Sequence, residues 1–256
     1  MSPEILSPII VCTGALLIIL LERRFPYTPG QEFLREGFWT DLTLYAIAQS
    51  YVLSWVIYAI IHHIDAATHL TRLRIVTDWP LWLQCLFFLV THDLYIYLFH
   101  RLQHHNSVLW RIHEAHHSVK DVDWLAGARS HSLEILINQT VEFAPIVLLG
   151  ASPAVALFKG VIDAVWGMYI HSNIDVKSGW LQYFINGPEM HRWHHAIEIR
   201  SGGVNFSTKL AFWDWIFGTA HLPRPAKPSG FGLDDPNYPS GYVAQHVYAF
   251  REFSDG

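Results

Sequence analysis

Charge is scarce in this chain. Only 15% of its 256 residues are Asp, Glu, Lys or Arg, against roughly 25% in soluble domains. Hydrophobic residues make up 51%. A water-soluble fold covers its surface with charge, so the shortage points to an integral membrane protein. Basic excess is missing as well. A net charge of −5 at pH 7 offers nothing suited to a phosphate backbone, which argues against nucleic acid as a partner. Cysteine is nearly absent. Cys12 and Cys85 both lie in apolar runs, as small core residues do, and build no disulfide framework. No G-x-G-x-x-G fingerprint and no haem or ferredoxin motif occurs. The N-terminus lacks a basic region, and Arg23 and Arg24 follow the first apolar run instead of a small-residue cleavage site. A retained first span is expected there rather than a cleaved signal.

What the chain has is apolar length. A helix needs about 20 mostly apolar residues to cross a bilayer, and helices satisfy their own backbone polar groups in lipid. Five stretches come close, at 5–21, 39–61, 79–99, 133–149 and 151–170. The expected fold is all-α: a multi-span transmembrane helical bundle, one domain over residues 1–256, with a helical cap on one side. The last two stretches meet at Gly150-Ala151-Ser152-Pro153 and form a hairpin. Asn138, Glu142 and Lys159 interrupt it, so it either crosses or only dips. The remainder, 172–256, is polar and packs against the cap.

Basic residues orient the bundle. With the N-terminus outside, the first inner loop carries Arg23, Arg24 and Arg35, and the next carries Arg101, Arg111, Lys120 and Arg129. The tail adds seven more basic residues, while the outer loop has Arg72 and Arg74. The positive-inside rule favours this arrangement.

Histidines then fall on that map in a pattern. His100 and His104 end the third span in HRLQH. His113, His116 and His117 follow in HEAHH. His131 precedes the hairpin and His171 ends it. His191, His194 and His195 form HRWHH. All lie on the inner, cytoplasmic side whether the hairpin crosses or dips. On a helix, residues three and four apart share a face, so each cluster can aim several imidazoles at one point. Imidazole suits iron, zinc, copper and nickel. With 17 histidines in the chain, one H-x-x-H-H is expected by chance about 0.07 times, and this chain has two. Ten histidines are more than one metal can use, and two metals can share them. An ionisable pair at membrane depth, His92 and Asp93, is costly and suggests a role. Asp93 and Glu134 are expected to orient histidines, the plain alternative being interfacial hydrogen bonds. His62, His63, His69, His105, His221 and His246 read as interfacial or solvated.

The run from HDLYIYLFHRLQHH through LWRIHEAHHS, RSHSLE, IHSNI and HRWHH to NFSTKLAFWDWIFGT, residues 92–219, resembles the fatty acid hydroxylase/sterol desaturase superfamily. Order, spacing and flanking residues agree. Ser132 stands where Pro is common and Ser207 where Gly is common, and neither is a histidine. The resemblance implies a membrane enzyme with a histidine-bound pair of iron ions, using dioxygen and external electrons to hydroxylate or desaturate a lipid. By matched position the ligands would be His100, His104, His113, His116, His117, His191, His194 and His195, with His171 and His131 added. Zinc is the substitute metal. Asn205, Trp213, Asp214 and Gly218 would have a structural role near the site. The lipid would enter from the bilayer, and electrons would come from a separate reductase, ferredoxin or cytochrome. The ending REFSDG has no dilysine signal, which favours a bacterial plasma membrane over the endoplasmic reticulum.

Two other readings compete. A membrane metal carrier would string histidines along a path. A zinc-dependent membrane hydrolase would need a general base beside the metal, for which Glu114 inside HEAHH is the candidate. Which lipid, and whether it is hydroxylated or desaturated, is not readable from these residues.

Overall fold

The computed structural model describes residues 3–199 and 202–252. Among them the regular structure is helical, with two isolated bridges and no strand. Four helices are long and apolar enough to cross a bilayer. They are α1 (Pro3–Arg24), α2 (Phe38–Thr68), α3 (Leu81–His105) and α6 (Pro153–His171). Between them stand α4 (Ser107–His117) and α5 (Ser132–Leu148), and after them α7 (Pro188–His194), α8 (Phe212–Ile216) and α9 (Tyr242–Tyr248).

Of the five apolar stretches, the fourth forms α5, the hairpin arm left open between crossing and dipping, and it is not among the four. At 17 residues and 1.5 Å per residue it reaches about 25 Å, short of the roughly 30 Å hydrocarbon core. It also buries Glu134 and Glu142. The second span is longer than its apolar run suggests. It continues to Thr68 and winds Asp41–Gln49 as a π-helix, which brings Asp41, Tyr45 and Gln49 to the inside.

Packing follows the small and the apolar residues. α1 lies along α6. A Cβ on Gly14 would stand 3.0 Å from Val165 Cγ2, so that close approach needs glycine. α2 packs on α5 through Leu53, Ile57, Ile61 and Ala144. Val76, Phe88, Ile146 and Val155 close the far end. On the outside, Leu16, Leu17, Leu20, Trp55 and Tyr58 are exposed, as lipid-facing residues should be. The cap is tied down by charge. Arg35 pairs with Asp41 and Asp123 at 2.8 Å each, and Arg129 reaches Asp41 at 2.7 Å.

Candidate metal centre

A single residue separates α3 from α4. Asn106 has extended backbone (φ −121, ψ 117), and its Oδ1 accepts from the Val108 and Leu109 N–H groups at 3.0 Å. It is an N-cap that stops one helix and starts the next. The sharp turn swings the histidines of α4 back onto His100 and His104. From the other side, α6 delivers His171 and α7 delivers the second box. Arg192 fixes α7 there, donating to the Ser172 and Ile174 carbonyls and lying over the Tyr27 ring.

Nine histidines meet in two groups. His100, His104, His113, His117 and His194 form one, and His116, His171, His191 and His195 the other. Within each group the ring nitrogens lie within 4.8 Å of one another. Each H-x-x-H-H box is divided between them. His113 and His117 go one way and His116 the other; His191 and His195 go one way and His194 the other. At 100° per residue, position i+4 lies 40° to one side of i and i+3 lies 60° to the other, so i+3 and i+4 diverge by 100° while all three stay on one broad face. One short helix can therefore serve two neighbouring points.

The nitrogen geometry asks for cations. His100 Nε2 lies 3.0 Å from His113 Nε2, which is 3.1 Å from His117 Nε2. In the other group His191 Nε2 is 2.8 Å from His171 Nε2 and 3.1 Å from His195 Nε2, and His171 Nε2 is 3.2 Å from His116 Nε2. Several of these rings already spend their proton elsewhere. The Nδ1–H groups of His100, His116, His171 and His194 donate to the carbonyls of Phe206, Arg129, Gly167 and Val204. His113 Nδ1 donates to Glu134 Oε1 at 2.8 Å. Their Nε2 atoms are then bare lone pairs, and lone pairs facing one another at this distance repel. A metal at about 2.1 Å from two nitrogens at right angles would set them about 3.0 Å apart. The buried Nε2 atoms of His104 and His194 have no protein partner. The residues therefore fit two metal ions. Burial also keeps the imidazoles neutral, as ligands must be. It pushes His113 and His116 down to about 3, and His117, His191, His194 and His195 well below their usual value, with neighbouring imidazoles adding to the effect at all but His113.

His131, expected as a tenth ligand, lies outside both groups. Its Nδ1 accepts the Leu133 N–H at 3.1 Å and its Nε2 faces the His246 carbonyl at 3.3 Å. Nδ1 is used in capping α5 and Nε2 in a contact to α9. Glu134 meets a histidine, His113. Asp93 does not. It accepts from the Thr208 hydroxyl and the Lys209 and Leu210 N–H groups, each at 3.0 Å. Asp214 accepts from the Phe206 and Ser207 N–H groups at 2.8 and 3.0 Å. Asn205 sits in the left-handed region (φ 53) and donates to the Met190 and His221 carbonyls at 2.8 Å. Together these three hold the segment 204–210, whose Val204 and Phe206 carbonyls orient His194 and His100. Those two carbonyls escaped the sequence reading, which sees side chains only. The nearby Asn205 and Asp214 were the available signal. Gly127 is a further hidden participant. A Cβ there would fall 2.6 Å from His171 Nδ1. Glu114, the hydrolase candidate, points away and pairs with both terminal nitrogens of Arg251 at 2.8 and 2.9 Å.

Deeper in the bundle is a second polar cluster. Lys159 Nζ meets His92 Nδ1 at 2.9 Å, Glu142 Oε1 at 2.8 Å and Asp163 Oδ2 at 2.6 Å. Three donors meet three acceptors, so the ammonium fills the place a metal would take. Lys209 Nζ adds a contact to Asp163 Oδ1 at 2.6 Å. Between this cluster and the histidines lies a chamber of about 200 Å³, walled by His100, His113, His116, His171 and His191 on one side and Asp163 and Lys209 on the other.

Residues 85–219 match the sequence model of the family described as fatty acid hydroxylase. An ornithine lipid hydroxylase of Rhizobium tropici is 33% identical over 68% of this chain and 52% of its own length. Human alkylglycerol monooxygenase is 29% identical over 50% of this chain and 28% of its own. A Delta(7)-sterol 5(6)-desaturase of Aspergillus fumigatus is 30% identical over 60% of this chain and 54% of its own. The chain thus spans about half or less of the length of these relatives. No solved structure matches it.

Proposed function

The chain belongs to the fatty acid hydroxylase family, and on that footing we propose that it is a membrane-bound oxygenase acting on a lipid. Hydroxylation is the first choice, because the relative sharing 68% of the chain is named a lipid hydroxylase. Desaturation begins with the same hydrogen abstraction and stands as the second. The overall change would be R–H plus dioxygen, two electrons and two protons, giving R–OH and water.

The observation that carries this reading is the pair of inward-facing nitrogen groups beside a chamber within the bundle. His100, His104, His113, His117 and His194 would hold one metal, and His116, His171, His191 and His195 the other. Two iron ions bound there would supply the dioxygen chemistry that no side chain can perform. The rest is the work of the chain. Glu134 and the carbonyls of Phe206, Arg129, Gly167 and Val204 keep Nδ1 of His113, His100, His116, His171 and His194 protonated and their Nε2 free. Ile96, Phe99 and Ile170 line the chamber with apolar surface and limit water near the reacting carbon. The histidine side is assigned to the cytoplasm on the strength of its basic residues, in a bacterial plasma membrane, where a separate reductase, ferredoxin or cytochrome would dock to deliver electrons.

The competing readings fare worse on the same geometry. Glu114 is engaged by Arg251, so a zinc hydrolase lacks its base. The histidines form two compact groups and not a path, which does not suit a carrier. The test is lipid analysis of cells expressing the protein or its His195→Ala variant under ¹⁸O-labelled dioxygen. A lipid that gains labelled oxygen, or a double bond, only with the intact protein supports the proposal. Identical lipid profiles in the two strains would sink it.

A further inference from the structure

The 200 Å³ chamber is too small to hold a lipid by itself, since small-molecule sites run to about 300–1,000 Å³. A second cavity, of about 570 Å³, lies between α1, α2, α5 and α6. Its walls include Cys12 and Ala15 from α1, Ala46 from α2 and Phe143 from α5. Three residues line both spaces: Gly127, Asp163 and Gly167. The junction falls between the arms of the α5–α6 hairpin. Those arms pack more closely on other helices than on each other, α5 on α2 and α6 on α1. Their deep ends are tied by Lys159 and Glu142 at 2.8 Å. Nearer the histidines, Gly127 and Gly167 leave the gap without side chains.

Gly167 is unusual in having no local reason to be glycine. Its backbone is ordinary helix, and a Cβ on it would meet no atom within 4 Å. Glycine is worse than alanine in a helix interior. The same face of α6 carries Gly160, where a Cβ would meet only Phe143 Cζ at 3.9 Å, and Ala164. These positions, spaced three and four apart, form a trough that ends at His171. The space they leave is the cavity and its junction.

We propose that the apolar chain of the lipid substrate lies in the 570 Å³ cavity and passes between α5 and α6 at Gly167 into the histidine-lined chamber. Gly167 then sets which chains reach the chamber. The proposal rests on the oxygenase reading for the identity of the chain as substrate, but its geometry needs no bound metal.

The test uses the full chain in phosphatidylcholine nanodiscs doped with a diazirine-bearing fatty acid, with cross-links mapped by mass spectrometry and bound iron measured in parallel. In the wild-type protein, the probe should mark Ile170 and Ile96, which face the chamber; Ile170 is 2% exposed, so bulk lipid cannot label it. Gly167→Leu should lower that labelling about tenfold or more. Gly160→Leu, eleven residues from His171 along α6, should do the same by filling the cavity upstream, with iron content unchanged. If Gly167→Leu loses iron, because the Gly167 carbonyl holds His171, the Gly160 variant decides. Chamber labelling that persists in the Gly160 variant, or that is missing from the wild-type protein, overturns the proposal. Wild-type protein that shows the labelling pattern but binds no iron would overturn the metal reading and leave the passage standing.

Discussion

At the scale of single residues, spacing made the histidines legible and hid their partners. HEAHH and HRWHH announce themselves because three- and four-residue intervals have one meaning on a helix. His131 has no such neighbours, and nothing local distinguishes a capping imidazole from a liganding one. Glu134 was legible only as a carboxylate near a histidine; that its partner is His113 depends on how α5 meets α4. Removing it tests the pairing. Glu134→Ala should weaken metal retention or turnover about 10–100-fold, read as iron remaining after dialysis against a chelator. Glu134→Gln, whose amide oxygen can still accept from His113 Nδ1, should recover part of the loss. A common effect of both variants would mean that the pairing does not act through this hydrogen bond.

At the scale of elements, long apolar runs gave α1, α2, α3 and α6 with modest errors at their ends. They left α5 open between crossing and dipping; there, apolar residues surround buried Glu134 and Glu142 in a helix of 17 residues. The segment 204–210 was legible only through Asn205, and its carbonyls were not, because Asp93 holds it from more than a hundred residues away in sequence. Lys159 illustrates the same limit. In sequence it interrupts a span; in the fold it joins α6 to α5 and α3. Lys159→Met leaves Glu142 facing no cation and Asp163 with Lys209 alone. Breaking a buried ion pair in this way costs about 3–5 kcal/mol, and thermal unfolding in detergent should show a clear drop in midpoint. A variant that melts with the wild-type protein would mean that the cluster contributes nothing to holding the hairpin.

At the scale of the molecule, the cap is neutral where it would ordinarily be cationic. Burial lowers His113 and His116 to about 3, from about 6.5 in an unfolded chain. Between those values the unfolded state binds protons that the folded state refuses. The stability these histidines contribute is therefore full above about pH 6.5 and is lost as pH falls toward 3. Metal-free protein should lose up to about 1.4 kcal/mol per pH unit for each such histidine over that window, measured as denaturation midpoints from pH 7 to pH 5. Bound metal should oppose the loss, since it occupies the same nitrogens. A metal-free protein whose midpoint is flat across that range would mean that the imidazoles are hydrated rather than sealed. The contrast with Lys159 has a consequence for assembly. Its ammonium is a cation that the chain makes for itself, present from synthesis and unable to exchange. The cations proposed for the two histidine groups would come from outside. On the proposed reading the hairpin can therefore close before any metal arrives, and the histidine side would be finished afterwards, on whatever schedule the surroundings provide one.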